Sequence, residues 1–109
     1  MATDAKKSLL GMIGLCRRAG GMICGSDLVC GELSSKRPPY LVLVSGSASD
    51  STRSKISGKC FHYGIECITL PFTTDELAQA IGKSASIAAV GILDERFSAR
   101  IKELASALN

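Results

Sequence analysis

"YLVLVSGSASDS", residues 40–51, decides the fold. Residues 40–44 are apolar at every position rather than at every second one. A strand of that kind is covered on both faces. A polar Ser/Gly loop follows, and then a helix with Ile56, Cys60 and Tyr63 on one face and Gly64 as its stop. A doubly covered strand that leads through a short loop into a helix belongs to a layered α/β architecture.

The same alternation extends outward in both directions. Residues 4–19 read as a helix, with Leu9, Ile13 and Cys16 on one face, Thr3 or Asp4 as its cap and Gly20 as its stop. Met22 to Cys24 is a short strand. Ser26 or Asp27 would cap a second helix running to about Ser35, where "KRPP" ends it, because proline cannot continue a helix. "IECITL" (65–70) is the next strand. Thr73 and Glu76 have the spacing of a capping box, and the helix they open stops at Gly82. "SIAAVGIL" (86–93) is the last strand. Phe97, Ile101, Leu104 and Leu108 mark one face of the final helix. The order is αβαβαβαβα. With no Asn-Gly or Asp-Gly hairpin between strands, it predicts a largely parallel sheet with helices on both faces.

Composition narrows the function. The chain has 109 residues, 46% of them hydrophobic, which suits one domain with a real core. No apolar stretch approaches the roughly 20 residues of a membrane span, and the N-terminal stretch lacks a signal-peptide core, so the expected location is the cytoplasm. The five cysteines include no C-x-x-C pair, which disfavours zinc and redox motifs. Four of them lie in apolar surroundings, Cys60 being the exception, and they read as small buried hydrophobes. A net charge of +3 permits an anionic partner without demanding one.

Catalysis has little to work with. The single histidine, His62, lies two residues from Cys60 on one helix, so the two do not face each other. Asp75/Glu76 and Asp94/Glu95 stand at helix starts, where carboxylates favour the dipole. The loop Gly46 to Asp50 resembles an anion cradle, yet it lacks both the Walker pattern and G-x-G-x-x-G and reads first as an ordinary capped loop, with a phosphate or nucleotide ligand as the second reading. At "CGSDLV" a glycine permits close approach, Asp27 can accept from base amino groups, and Arg17 and Arg18 stand upstream. Together they describe a nucleic-acid site or a tight turn.

Three stretches, "GLCRRAGGMICGSDLV" (14–29), "YLVLVSGSASDSTRSKISGKCFHYGIECI" (40–68) and "ELAQAIGKSASIAAVGILDERFSARI" (76–101), cover nearly the whole chain. They resemble the bacterial YlxQ-type proteins, small relatives of the ribosomal protein L-seven-Ae in the kink-turn-binding superfamily. The resemblance implies a three-layer α/β/α sandwich with a mixed four-stranded sheet. It also implies a non-enzymatic RNA-binding protein without cofactors, associated with ribosomes or another structured RNA.

Carried over by position, the family's G-x-N/D-E motif falls on Gly25, Ser26, Asp27 and Leu28. Asp27 would reach a guanine edge, and Gly25 would let the backbone lie against RNA. The loop before the last helix falls on Gly91, Ile92, Leu93, Asp94 and Glu95, with Ile92 and Leu93 packing on a flipped-out base and Ser49 nearby. Leu28 stands where strong kink-turn binders carry Glu. Gly31 stands where a Lys is common, and Leu93 and Arg96 replace Thr and Gly. Each loss costs about 1–3 kcal/mol where a relative makes the contact. Arg17, Arg18, Lys36 and Arg37 would compensate in part through backbone phosphates. The other readings are a small-ligand domain using Gly46 to Asp50, and an interaction scaffold that has lost RNA binding.

Overall fold

The structure, a computed structural model, describes residues 2–108. Its elements are α1 (Ala2–Arg18), β1 (Met22–Cys24), α2 (Ser26–Glu32), β2 (Leu41–Ser45), α3 (Asp50–Tyr63), β3 (Glu66–Leu70), α4 (Thr74–Ala80), β4 (Ala89–Ile92) and α5 (Glu95–Ser106). The expected order of helices and strands is the observed one. The cap expected of Thr3 or Asp4 involves side chains outside the described residues.

The sheet order is β1-β4-β2-β3. β2 and β3 are parallel, whereas β4 runs antiparallel to both β1 and β2. The sheet is therefore mixed, and the largely parallel sheet expected from alternation alone is corrected. The reason lies in the entry to β4. The Ser45 amide donates to the Ala88 carbonyl (2.8 Å) and the Gly25 amide to the Ala89 carbonyl (2.9 Å). The chain thus re-enters the sheet beside the ends where β1 and β2 leave it, and must run back the other way.

Every residue of β2 is buried, as its uninterrupted apolar run requires. Leu41 and Leu43 join Val90 and Ile92 beneath Leu9 and Ile13 of α1, Leu77 of α4 and Ile101 of α5. Val42, Val44 and Ala89 pack on the other face against Val29 of α2 and Ile56 and Cys60 of α3. Helices on both faces give the three-layer α/β/α sandwich.

Local differences have local causes. α2 stops at Glu32 rather than near Ser35, because the Ser34 and Ser35 hydroxyls donate to the Gly31 and Glu32 carbonyls (3.4 and 2.8 Å). β4 starts three residues later than expected. The Ile87 amide turns aside to the Thr74 carbonyl (3.3 Å) instead of a neighbouring strand. The capping box of Thr73 and Glu76 is formed, and Gly64 closes α3 with φ of 70°. Cys60, expected outside apolar surroundings, is buried in the core beneath α3. A hydrogen bond with Cys67, and burial, push its thiol pKa well up.

Candidate functional site

Gly25 is the N-cap of α2, with φ of 105° and ψ of 139°. A Cβ placed there would meet nothing within 4 Å among the described residues, so glycine is demanded by the backbone angle and leaves the surface above it open. Among the described residues no side chain caps α2. Ser26 and Asp27, expected as caps, lie inside its first turn. The reason is that Gly25 itself turns the chain, and its carbonyl accepts the Val29 amide (3.0 Å). Val29 anchors the helix in the core. Asp27, Leu28 and Gly31 consequently face solvent, and Leu28 is 63% exposed.

Two cations flank this end of β1. Arg17 and Lys83 both act on the thiol of Cys24, the residue before Gly25. Burial raises the Cys24 pKa, and the two positive charges oppose that rise. The Arg17 Nε is buried and has no hydrogen-bond partner among the described residues. Arg18 is exposed, and its Nη1 shares the space over Gly14 with the Ala80 carbonyl. Lys83 escaped the sequence reading, although "IGK" just beyond the stop of α4 was its signal.

The end of β2 lies alongside. Ala88 and Ala89 link it to Gly25 through the Ser45 and Gly25 amides described above. Ser49 caps α3, its hydroxyl accepting the Thr52 amide (3.2 Å). The anion cradle expected from Gly46 to Asp50 is largely used up internally. The Gly46 amide goes to the Leu70 carbonyl (2.8 Å), Ser47 to the Ser45 hydroxyl (3.2 Å) and Ala48 to the Ser45 carbonyl (3.2 Å).

Gly91 stands opposite Ile23 inside the sheet and residues 92–96 lie towards the other end of β1, which corrects the expectation that 91–96 and Gly25 form one edge. Cys24 pairs with Val90 and Met22 with Ile92, while the Leu93 amide donates to the Gly21 carbonyl (2.7 Å). At about 3.3 Å per residue, Gly21 and Gly25 are separated by about 13 Å along the sheet. Gly91 and Ile92 belong to β4, not to a loop. Ile92 is 0% exposed and therefore cannot meet a base. Gly91 is glycine because Ile23 and Pro39 pack over it, each 3.0 Å from where a Cβ would stand. Leu93 and Arg96 are exposed at this far end, and Asp94 caps α5 by accepting the Arg96 and Phe97 amides (2.9 and 3.1 Å). Lys36 and Arg37 are also at this end, just before β2 begins.

His62 is exposed on α3 and meets the Tyr63 ring edge-on at 4.8 Å, whereas Cys60 is in the core. The two do not form a dyad. Among the described residues, no cluster of three or more His, Cys, Asp or Glu could hold a metal ion.

No protein-family model matches the chain. It is 32% identical over 99 residues to the RNA-binding protein YlxQ of Enterococcus faecium, covering 91% of this chain and 92% of that protein. It is 32% identical over 97 residues to the RNA-binding protein YlxQ of Bacillus subtilis (strain 168), covering 85% and 90%. A protein of unknown function from Bacillus halodurans shares the fold with a TM-score of 0.81 at 28% identity, over 90% of this chain and 96% of that one. The 15.5 kD RNA-binding protein of Giardia lamblia has the same fold, with a TM-score of 0.75 at 14% identity over 97% and 91%. The 32% identity to the two YlxQ proteins, over 85% to 92% of the chains compared, places this chain in the YlxQ family.

Proposed function

We propose that the protein is a non-catalytic, single-domain RNA-binding protein that works in the cytoplasm, in association with the ribosome, by recognising kink-turn-like RNA. Its contact surface is the end of the sheet where β1 and β2 finish. The observation that carries the reading is the open backbone at Gly25, bordered by an exposed Asp27 and the Arg17/Lys83 pair. Asp27 accepts from the amino edge of a base splayed by the bend. Gly25 and the first turn of α2 lie against the backbone of the RNA, and the cations balance phosphates. Leu28 and Ser49 complete the surface, Leu28 by apolar contact with an unstacked base. RNA is read in this way, through bends and splayed bases rather than a deep groove. Two relatives named for RNA binding support the partner class.

The test is a gel shift with a kink-turn duplex against a straight duplex of matched length. The wild-type chain should prefer the bent duplex. Asp27→Ala should lower that affinity by roughly 5- to 150-fold, the equivalent of about 1–3 kcal/mol, and leave the fold intact. Equal and negligible binding of both duplexes would sink the proposal.

A further inference from the structure

Lys36 and Arg37 stand with Tyr40 and Leu93, towards the end of the sheet away from Gly25, and both are exposed. They border an open groove of about 840 Å³, lined also by Pro38, Tyr40, Ile65 and Leu93. We infer that this groove is a second nucleic-acid contact, which takes a single-stranded RNA segment. A base lies on Tyr40 beside Leu93, and phosphates meet Lys36 and Arg37.

Three features carry this. The first is charge: none of the described residues lining the groove is acidic. The acids that follow Ile65 and Leu93 in sequence are engaged, Glu66 with the Lys102 ammonium (3.2 Å) and Asp94 with the amides of α5. The second is the exposed ring. Tyr40 is 51% exposed and Leu93 37%, and exposed Tyr63 adjoins Gly64 at the groove's edge. Bases of any identity stack on such rings, since every base has a π-face. The third is rigidity. The Tyr40 amide donates to the Ile92 carbonyl (2.8 Å), and Pro39 is packed against the bare Gly91, so the ring stands on a fixed base. The choice of RNA over an acidic peptide rests on the function proposed above; the geometry of the groove does not.

Fluorescence anisotropy with a labelled single-stranded oligouridylate decamer tests this. The wild-type chain should bind it. Tyr40→Ala should weaken binding roughly 5- to 150-fold. Lys36→Ala/Arg37→Ala should weaken it and flatten the slope of log K against log[salt] by about 1.4, since each single-strand phosphate contact contributes about 0.7. The double variant changes only exposed side chains, so the test survives if Tyr40→Ala folds poorly. Asp27→Ala should bind the decamer like wild type. The inference is overturned if the wild-type chain ignores the decamer, if both groove variants bind it unchanged, or if a polyglutamate peptide binds the groove as tightly as the RNA. A chain that binds the decamer but does not prefer a kink-turn would overturn the previous proposal alone. The converse would overturn this one alone.

Discussion

Two glycines on the same short segment show how one residue type serves opposite ends. Gly25 has φ of 105°, a region L side chains rarely adopt, while Gly31 sits in the ordinary helix of α2. At neither position would a Cβ find another atom of the described residues within 4 Å, so packing does not separate them. Backbone strain does. Gly25→Ala should cost about 1–3 kcal/mol, as residues forced into sparse backbone regions do. Gly31→Ala should stabilise by about 0.5–1 kcal/mol, by removing helix-interior glycine. Urea unfolding of the two variants should therefore shift its midpoint in opposite directions. A loss at both sites would mean that α2 has a geometry other than the one described. The residue pattern offered Gly25 as a place of close approach or a tight turn, and its φ of 105° is a turn geometry. It misassigned the neighbouring cap, because Ser26 and Asp27 are capping types and only the chain geometry shows that the glycine has already turned.

At the scale of elements, most of the fold was legible, because helix stops, caps and the buried strand β2 rest on local chemistry. The capping box of α4 is the clearest case. The Glu76 amide donates to the Thr73 hydroxyl (3.0 Å), and the Thr73 amide to the Glu76 carboxylate (2.9 Å). Lys6 of α1 adds an ion pair at 2.7 Å, so the box also ties α4 to α1. Thr73→Ala should cost about 1 kcal/mol. The Glu76 carboxyl is held below its usual value of 4.5, first by the Lys6 ammonium and then by the Thr73 amide. A lowered folded pKa means that the contribution is present above the unfolded value and is lost as pH falls through the folded one. Thermal melts between pH 6 and 3 should thus show an acid-side loss in the wild-type chain that is smaller in Glu76→Gln. Identical profiles would show that solvent screens the pair completely. What local chemistry did not reveal was the length of β4. Its early residues are apolar and strand-like, and only the hydrogen bond from Ile87 to Thr74 takes them out of the sheet.

For the whole molecule, the decisive fact is the strand order, which no stretch of sequence states. β4 lies between β1 and β2 and runs against both. That one placement carries residues 92–96 away from Gly25, and brings Lys83, Ala88 and Ala89 to it instead. Motif matching along the chain singled out Asp27 but could not tell which other loop would stand beside it. The same order sets a gradient of stability. β2 and β4 each have a neighbour on both sides and helices on both faces. β1 is an edge strand of three residues, and α2 has seven residues and no side-chain cap. Elements with few anchors open locally at a lower free energy than the global one. In native-state hydrogen exchange, amides of Leu43 and Val90 should therefore exchange last. Those of α2 should exchange at least about 30-fold faster once corrected for intrinsic rates, the equivalent of about 2 kcal/mol. Equal protection would mean that the Gly25 end is as rigid as the central strands. A ligand that orders this end raises its protection by mass action. A kink-turn duplex should therefore slow exchange in residues 25–31 and leave 36–40 unchanged, while the single-stranded decamer should do the reverse. Slowing of both segments by either RNA would show that the two ends act as one surface.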